Sequence, residues 1–91
     1  MRAIRFATEA YLDLKKLRAN DRATIMDAIE RHLGESYLRL GKKVKLLRLS
    51  NGDPIHRLRV GEYRVFFDIV DEGIVVRSIR QKGRRMTEEI L

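Results

Sequence analysis

The 91-residue sequence predicts an α+β fold of order β-α-α-β-β-β, a mostly antiparallel sheet with a helical hairpin packed on one face. Three features point there. A short alternating stretch is followed by two segments whose apolar residues recur at helical spacing, separated by "RAND". The second half switches to strand-like alternation of apolar and polar residues. Turn signals at "SNGDP", Gly61-Glu62 and "VDEGI" divide that half into extended pieces.

The elements follow in order. "RAIRF" (2 to 6) reads as a first strand, with Ile4 and Phe6 on one face. Thr8 is placed to cap a helix over 9 to 17, with Glu9 favoured by the dipole of its first turn. Tyr11, Leu14 and Leu17 share a face of it. Asn20 or Asp21 would cap a second helix running to Leu33, with Ile25, Ala28, Ile29, His32 and Leu33 as its stripe and Gly34 as its stop. The short connection makes the helices antiparallel. Residues 35 to 53 read two ways, as a helical turn or as the extended run "KVKLLRL". Two hairpins complete the chain. Gly61-Glu62 favours a type II′ turn, and the second turn falls around Glu72-Gly73.

Length and composition predict one domain over residues 1–91, with 44% hydrophobic residues to form its core. Cysteine is absent, so a disulfide or cysteine–zinc framework is ruled out. His32 and His56 lack a metal-like spacing, and no metal or cofactor is expected. "MRAIRFATEAYLDL" contains no long apolar run, so neither a signal peptide nor a membrane span is expected and the predicted location is cytoplasmic.

The net charge of +7 is unevenly spread. Residues 1 to 38 carry seven Lys/Arg against six Asp/Glu, whereas residues 39 to 91 carry thirteen against seven. A basic surface confined to one part of a small protein suits phosphate backbones, an anionic membrane or an acidic protein partner.

Alternation then sorts the charge within "PIHRLRVGEYRVFFDI" (54 to 69). A turn at Gly61-Glu62 sets Val60 opposite Tyr63, Arg59 opposite Arg64, Leu58 opposite Val65, Arg57 opposite Phe66 and His56 opposite Phe67. Leu58, Val60, Tyr63, Val65, Phe67 and Ile69 fall on one face, under the helices. Arg57, Arg59 and Arg64 fall on the other, with Phe66 among them. Directly opposed like charges cost about 0.2–1 kcal/mol, so an anion or an acidic chain is expected to meet this face, with a merely solvated face as the alternative. A plausible register of the second hairpin sets Asp68 against Arg77. His56 lies on the helix-side row and reads as a partly buried structural histidine, as does His32 on its helical stripe. Guanidinium groups hold phosphate bidentately and stabilise charge on phosphoryl oxygens. No paired carboxylates, Ser-His-Asp set or phosphate loop accompanies them; "GKKVK" lacks P-loop spacing.

"IHRLRVGEYRVFFDIVDEGIVVRSI" resembles the RelE/ParE family of toxin–antitoxin toxins, "TEAYLDLKKL" resembles its helical hairpin and "KKVKLLRLSNG" its linker. The resemblance spans nearly the whole chain. It implies a toxin that inhibits translation by ribosome-dependent cleavage of mRNA, without metal, through attack of a ribose 2′-hydroxyl on the adjacent phosphate. The implied phosphate-handling residues are Arg57, Arg64 and either Lys82 or Arg84. Lys42, Lys43, Lys45 and Arg48 would contact ribosomal RNA, with Arg59, Arg80 and Arg85 as further RNA contacts. Two departures mark this chain: Ile55 stands where RelE has a lysine, and "QKGRRMTEEIL" contains no tyrosine. The alternatives are a ParE-like inhibitor of DNA gyrase that leaves RNA intact, or a degenerate member that only binds its antitoxin. Every branch implies a cognate antitoxin as partner, with an acidic or amphipathic segment over the basic face, and none implies a membrane.

Overall fold

A computed structural model of the chain describes residues 3–34, 43–71 and 73–82. The elements are β1 (Ile4–Phe6), α1 (Thr8–Lys15), α2 (Ala19–Leu33), β2 (Val44–Arg48), β3 (Pro54–Val60), β4 (Tyr63–Val70) and β5 (Gly73–Gln81). They form a five-stranded sheet in the order β1-β5-β4-β3-β2, with β1 parallel to β5 and every other pair antiparallel. The α+β class is as expected. The order gains one strand, because the extended reading of "KVKLLRL" holds for β2, which pairs with β3 from Val44↔Leu58 to Arg48↔Pro54.

The helices start by a different route from the one their sequences suggest. Residue Ala7, not Thr8, is the N-cap of α1, and Arg18, not Asn20 or Asp21, that of α2; neither cap makes a side-chain hydrogen bond. A tertiary contact organises the hairpin instead. The Arg22 guanidinium of α2 donates to the Leu17 carbonyl just past α1 and to the Leu14 carbonyl, which also accepts from the Leu17 N–H. Gly34 does end α2, but with φ −80 rather than in the left-handed region. A β-carbon there would stand 2.6 Å from the Glu30 carbonyl oxygen, so close approach is what requires glycine.

Both helices lie on one face of the sheet, α1 against β5 and α2 against β3. Ala10, Leu14, Ile25, Ile29 and Leu33 meet Val44, Leu58, Val60, Val65, Phe67, Ile74, Val76 and Ile79 in one core. Tyr11 is more than half exposed, so the buried stripe of α1 runs through Ala10 and Leu14 instead. On α2, Ala28 and His32 flank the stripe half-buried. Ile69 is likewise partly exposed, near the end of the helix-side row of β4.

The hairpins set the register. Gly61 has φ +56 and Glu62 does not have positive φ, the pattern of a type II′ turn. All five β3–β4 pairs fall as alternation predicts. The second hairpin turns one residue earlier than expected, since Val70 pairs with Gly73 and Asp71 adopts φ 56. "SNGDP" is also a turn: Gly52 has φ +95 and its N–H donates to the Leu49 carbonyl.

Candidate nucleic-acid interface

The face of the sheet away from the helices is organised in rows. Within each strand, residues alternating with core members must point to this side. One row reads Lys45, Arg57, Phe66 and Ser78 across β2 to β5. The next reads Arg59, Arg64 and Arg80, and Lys43, whose carbonyl accepts from the Arg59 N–H, extends it beyond β3. Opposed β-carbons in such pairs stand about 4.5–5.5 Å apart, so the cations of a row share one electrostatic environment. Burial, followed by the positive fields of Arg64 and then Arg59, lowers the pKa of the Arg57 guanidinium. It nevertheless stays cationic, because arginine does not deprotonate in proteins.

This face is not uniformly wet. Ile55, Phe66 and Ser78 are buried yet lie on it, and neither Ile55 nor Phe66 belongs to the main core. The row Leu47, Ile55, Asp68 and Val75 forms its less basic end. Phe66 is 3% exposed, so it supports the face from beneath and offers no ring for a base to stack on. Ile55 occupies the alternating position beside Arg57, in keeping with an apolar floor under the cations.

The expected site residues divide by position. Arg57, Arg59, Arg64, Lys43 and Lys45 come together. Lys82 follows β5 in the same alternation as Arg80, and its backbone N–H donates to the Glu62 carbonyl. Arg48 does not join them: it shares Val44's side of β2, and its guanidinium donates to the Gly52 carbonyl in the adjacent turn (2.9 Å). Arg80 has its α-carbon opposite Arg64, yet its guanidinium is bound to Glu9 and Asp13 of α1. Lys42, Arg84 and Arg85 lie outside the described residues.

Asp68 and Arg77 do pair, at 2.7 Å, by a different register from the one expected. Phe66 pairs with Ser78 and Phe67 with Val76, so Arg77 is the extra residue of a bulge and Asp68 stands opposite Val75. That pair neutralises the carboxylate nearest the arginines on β4. His56 sits on the helix-side row, stacked on Phe67 with ring centres 5.3 Å apart. Burial lowers its pKa, while Asp68 pulls the other way. It packs on the opposite side of the sheet from the arginines. Tyr63, also helix-side, donates to Asp21 (3.1 Å), and burial followed by that carboxylate raises its pKa. The link ties the start of α2 to the hairpin that carries Arg59 and Arg64; the sequence showed no sign of it, since the two residues are 42 positions apart. A hollow of about 360 Å³ beside this link is lined by Asp21, Thr24, Val60, Glu62 and Gln81, with none of the arginines.

Among the described residues, therefore, the arginine face offers charge and hydrogen-bond donors but no histidine, tyrosine or unpaired carboxylate. Such a surface can bind a phosphodiester in two-point fashion and stabilise added charge on it. Among the described residues, no helix is long and apolar enough to cross a membrane.

Several solved toxin structures have a similar architecture. The fold is shared with the RelBE2 toxin–antitoxin complex of Mycobacterium tuberculosis (24% identity, 89% of this chain and 98% of that chain, TM-score 0.67). It is shared with the archaeal RelE–RelB complex of Pyrococcus horikoshii (19%, 91% and 97%, TM-score 0.68). The isolated RelE toxin of E. coli is similar as well (16%, 96% and 90%, TM-score 0.60). No curated protein sequence matches the chain. The family model described as the ParE toxin of type II toxin–antitoxin systems matches residues 4–86, which takes in both helices and all five strands, so the chain belongs to that RelE/ParE toxin family.

Proposed function

We propose that the chain is the toxin of a type II toxin–antitoxin module and that it arrests translation by cutting mRNA on the ribosome. The observation that carries this reading is the double row of cations, Lys45 and Arg57 beside Lys43, Arg59 and Arg64, on a face that the core does not use. In the proposed reaction the ribose 2′-hydroxyl loses its proton to solvent as its oxygen bonds to phosphorus, and the bond to the 5′-oxygen breaks, leaving a 2′,3′-cyclic phosphate and a 5′-hydroxyl that takes a proton from solvent. Arg57 and Arg64 hold the non-bridging oxygens and stabilise the charge that builds on them. Lys82 or Arg84 meets the leaving side. Lys42, Lys43, Lys45, Arg59 and Arg85 contact the RNA backbone around it, and Arg48 reaches ribosomal RNA from the β2–β3 turn. The cognate antitoxin silences the toxin by covering this face with an acidic or amphipathic segment, in keeping with the net charge of +7 and with the toxin–antitoxin complexes that share the fold. Both partners act in the cytoplasm.

One feature favours a second reading. The described part of the face has no group that titrates near neutral pH to move the 2′-hydroxyl proton. A ParE-like toxin that inhibits DNA gyrase leaves RNA intact and needs no such group. Mapping mRNA ends after brief expression, beside an Arg64→Ala variant, separates the two. Codon-phased cuts that vanish in the variant support cleavage; intact messages with accumulating gyrase-linked DNA breaks refute it.

A further inference from the structure

Arg80 presents a contradiction between its backbone and its side chain. Its α-carbon faces Arg64, which itself faces Arg59, so the backbone places three arginines in one row. Its guanidinium, however, contacts the carboxylates of Glu9 and Asp13, one turn apart on α1. The edge of β5 explains how. β1 pairs no further than Val76, and beyond it the Ile79 N–H is satisfied by the Asp13 carboxylate (2.9 Å) rather than by a strand. The same Asp13 oxygen accepts from Arg80 at 3.0 Å. Arg80 thus stands at an edge that no strand covers among the described residues, with two carboxylates on one side and the cation row on the other.

We propose that Glu9 and Asp13 act as an internal substitute for phosphate, holding Arg80 away from the arginine face until a nucleic-acid phosphate displaces them. The inference rests on the reading of that face as a phosphate site. Two carboxylate groups around one guanidinium reproduce the acceptors that a phosphodiester supplies. Parking Arg80 on α1 also spares the arginine face another like-charge contact beside Arg64. When a phosphate occupies the row, its charge offsets that repulsion and Arg80 can exchange acceptors without breaking the sheet. Glu9, more than half exposed, gives way first; Asp13, which also seals the β5 edge, stays in place.

The test is binding of a short single-stranded RNA oligonucleotide to the full chain across a range of salt concentrations. If Arg80 joins the phosphate, Arg80→Gln lowers the salt slope by roughly 0.7, the value of one single-strand contact. Glu9→Gln, by releasing Arg80, tightens binding roughly threefold to tenfold, as expected when the competent state becomes more populated. Glu30→Gln, which removes the same charge from an exposed position on α2, leaves affinity nearly unchanged, and Glu9→Gln gives no gain in the Arg80→Gln background. An unchanged slope in Arg80→Gln, or a Glu9→Gln gain that persists without Arg80, overturns the exchange while leaving the phosphate site intact. Equal binding by wild type and Arg64→Ala overturns the phosphate reading itself, and the exchange with it. Glu9→Gln keeps the test usable even if Arg80→Gln weakens the fold.

Discussion

The two faces of the β3–β4 pair are made by the same two strands and follow opposite rules. On the helix side, Leu58, Val65 and Phe67 are fully buried and Val60 nearly so. On the other side, Arg57, Arg59 and Arg64 gather like charges that neutral residues would avoid. Strict alternation lets both coexist, because no residue must serve both faces. On the proposed function, the contrast gives stability to one face and recognition to the other, with the arginines costing stability that a bound anion would offset.

The largest expected effect lies on the helix side. Phe67→Ala should lose about 3–5 kcal/mol in chemical denaturation, as truncation of a fully buried aromatic does. An effect below a third of that would show that the core does not depend on this face. Next comes Arg64→Ala, whose lost charge-assisted hydrogen bonds are worth about 1.5–3 kcal/mol in RNA affinity, with folding stability equal or higher. A variant that loses stability and affinity together would erase the division between faces.

How the sequence anticipated each face differs too. The β3–β4 register was fully legible, since Gly61 fixes the turn and the apolar residues alternate without a break. The β4–β5 register was not: the turn falls one residue early, at Asp71, which sets Asp68 opposite Val75, and the bulge at Arg77, with no local mark, shifts the pairs from Phe66↔Ser78 onward. The helix N-caps were placed late, at Thr8 and at Asn20 or Asp21, because the capping pattern looks for a side-chain acceptor, whereas Ala7 and Arg18 hold those positions without a side-chain hydrogen bond. For the site, alternation located Arg57, Arg59 and Arg64, whereas Arg80 entered only as a further RNA contact, and its place opposite Arg64 comes from the structure. Its guanidinium is decided by Asp13 and Glu9, 67 and 71 residues away. That Arg48 lies off the arginine face was not legible, because the sequence left the β2 segment open, and with it the alternation that sends Lys45 and Arg48 to opposite sides.

Smaller effects sharpen the contrast. Arg59→Gln removes a directly opposed cation and should stabilise the fold by about 0.2–1 kcal/mol while weakening RNA binding. Thermal melts that show a loss instead would mean that Arg59 supports the sheet. The smallest effect concerns His56, whose pKa burial lowers below its ordinary 6.5. The unfolded chain then binds the proton more readily than the folded one. Its stabilising contribution is complete above pH 6.5 and is lost as pH falls from there through the lowered folded value. His56→Gln should therefore flatten the fall in stability between neutral and mildly acidic pH; an unaltered slope would assign that fall to other groups.

The central claim is that the arginine face acts on an RNA phosphate. Its most direct test is primer extension on a message held by purified ribosomes, comparing the wild-type chain with the Arg57→Ala/Arg64→Ala double variant at matched folding. The expected result is discrete new RNA ends with the wild type and none with the variant. Equal cutting by both, or an intact message from a chain that blocks purified gyrase, would contradict it.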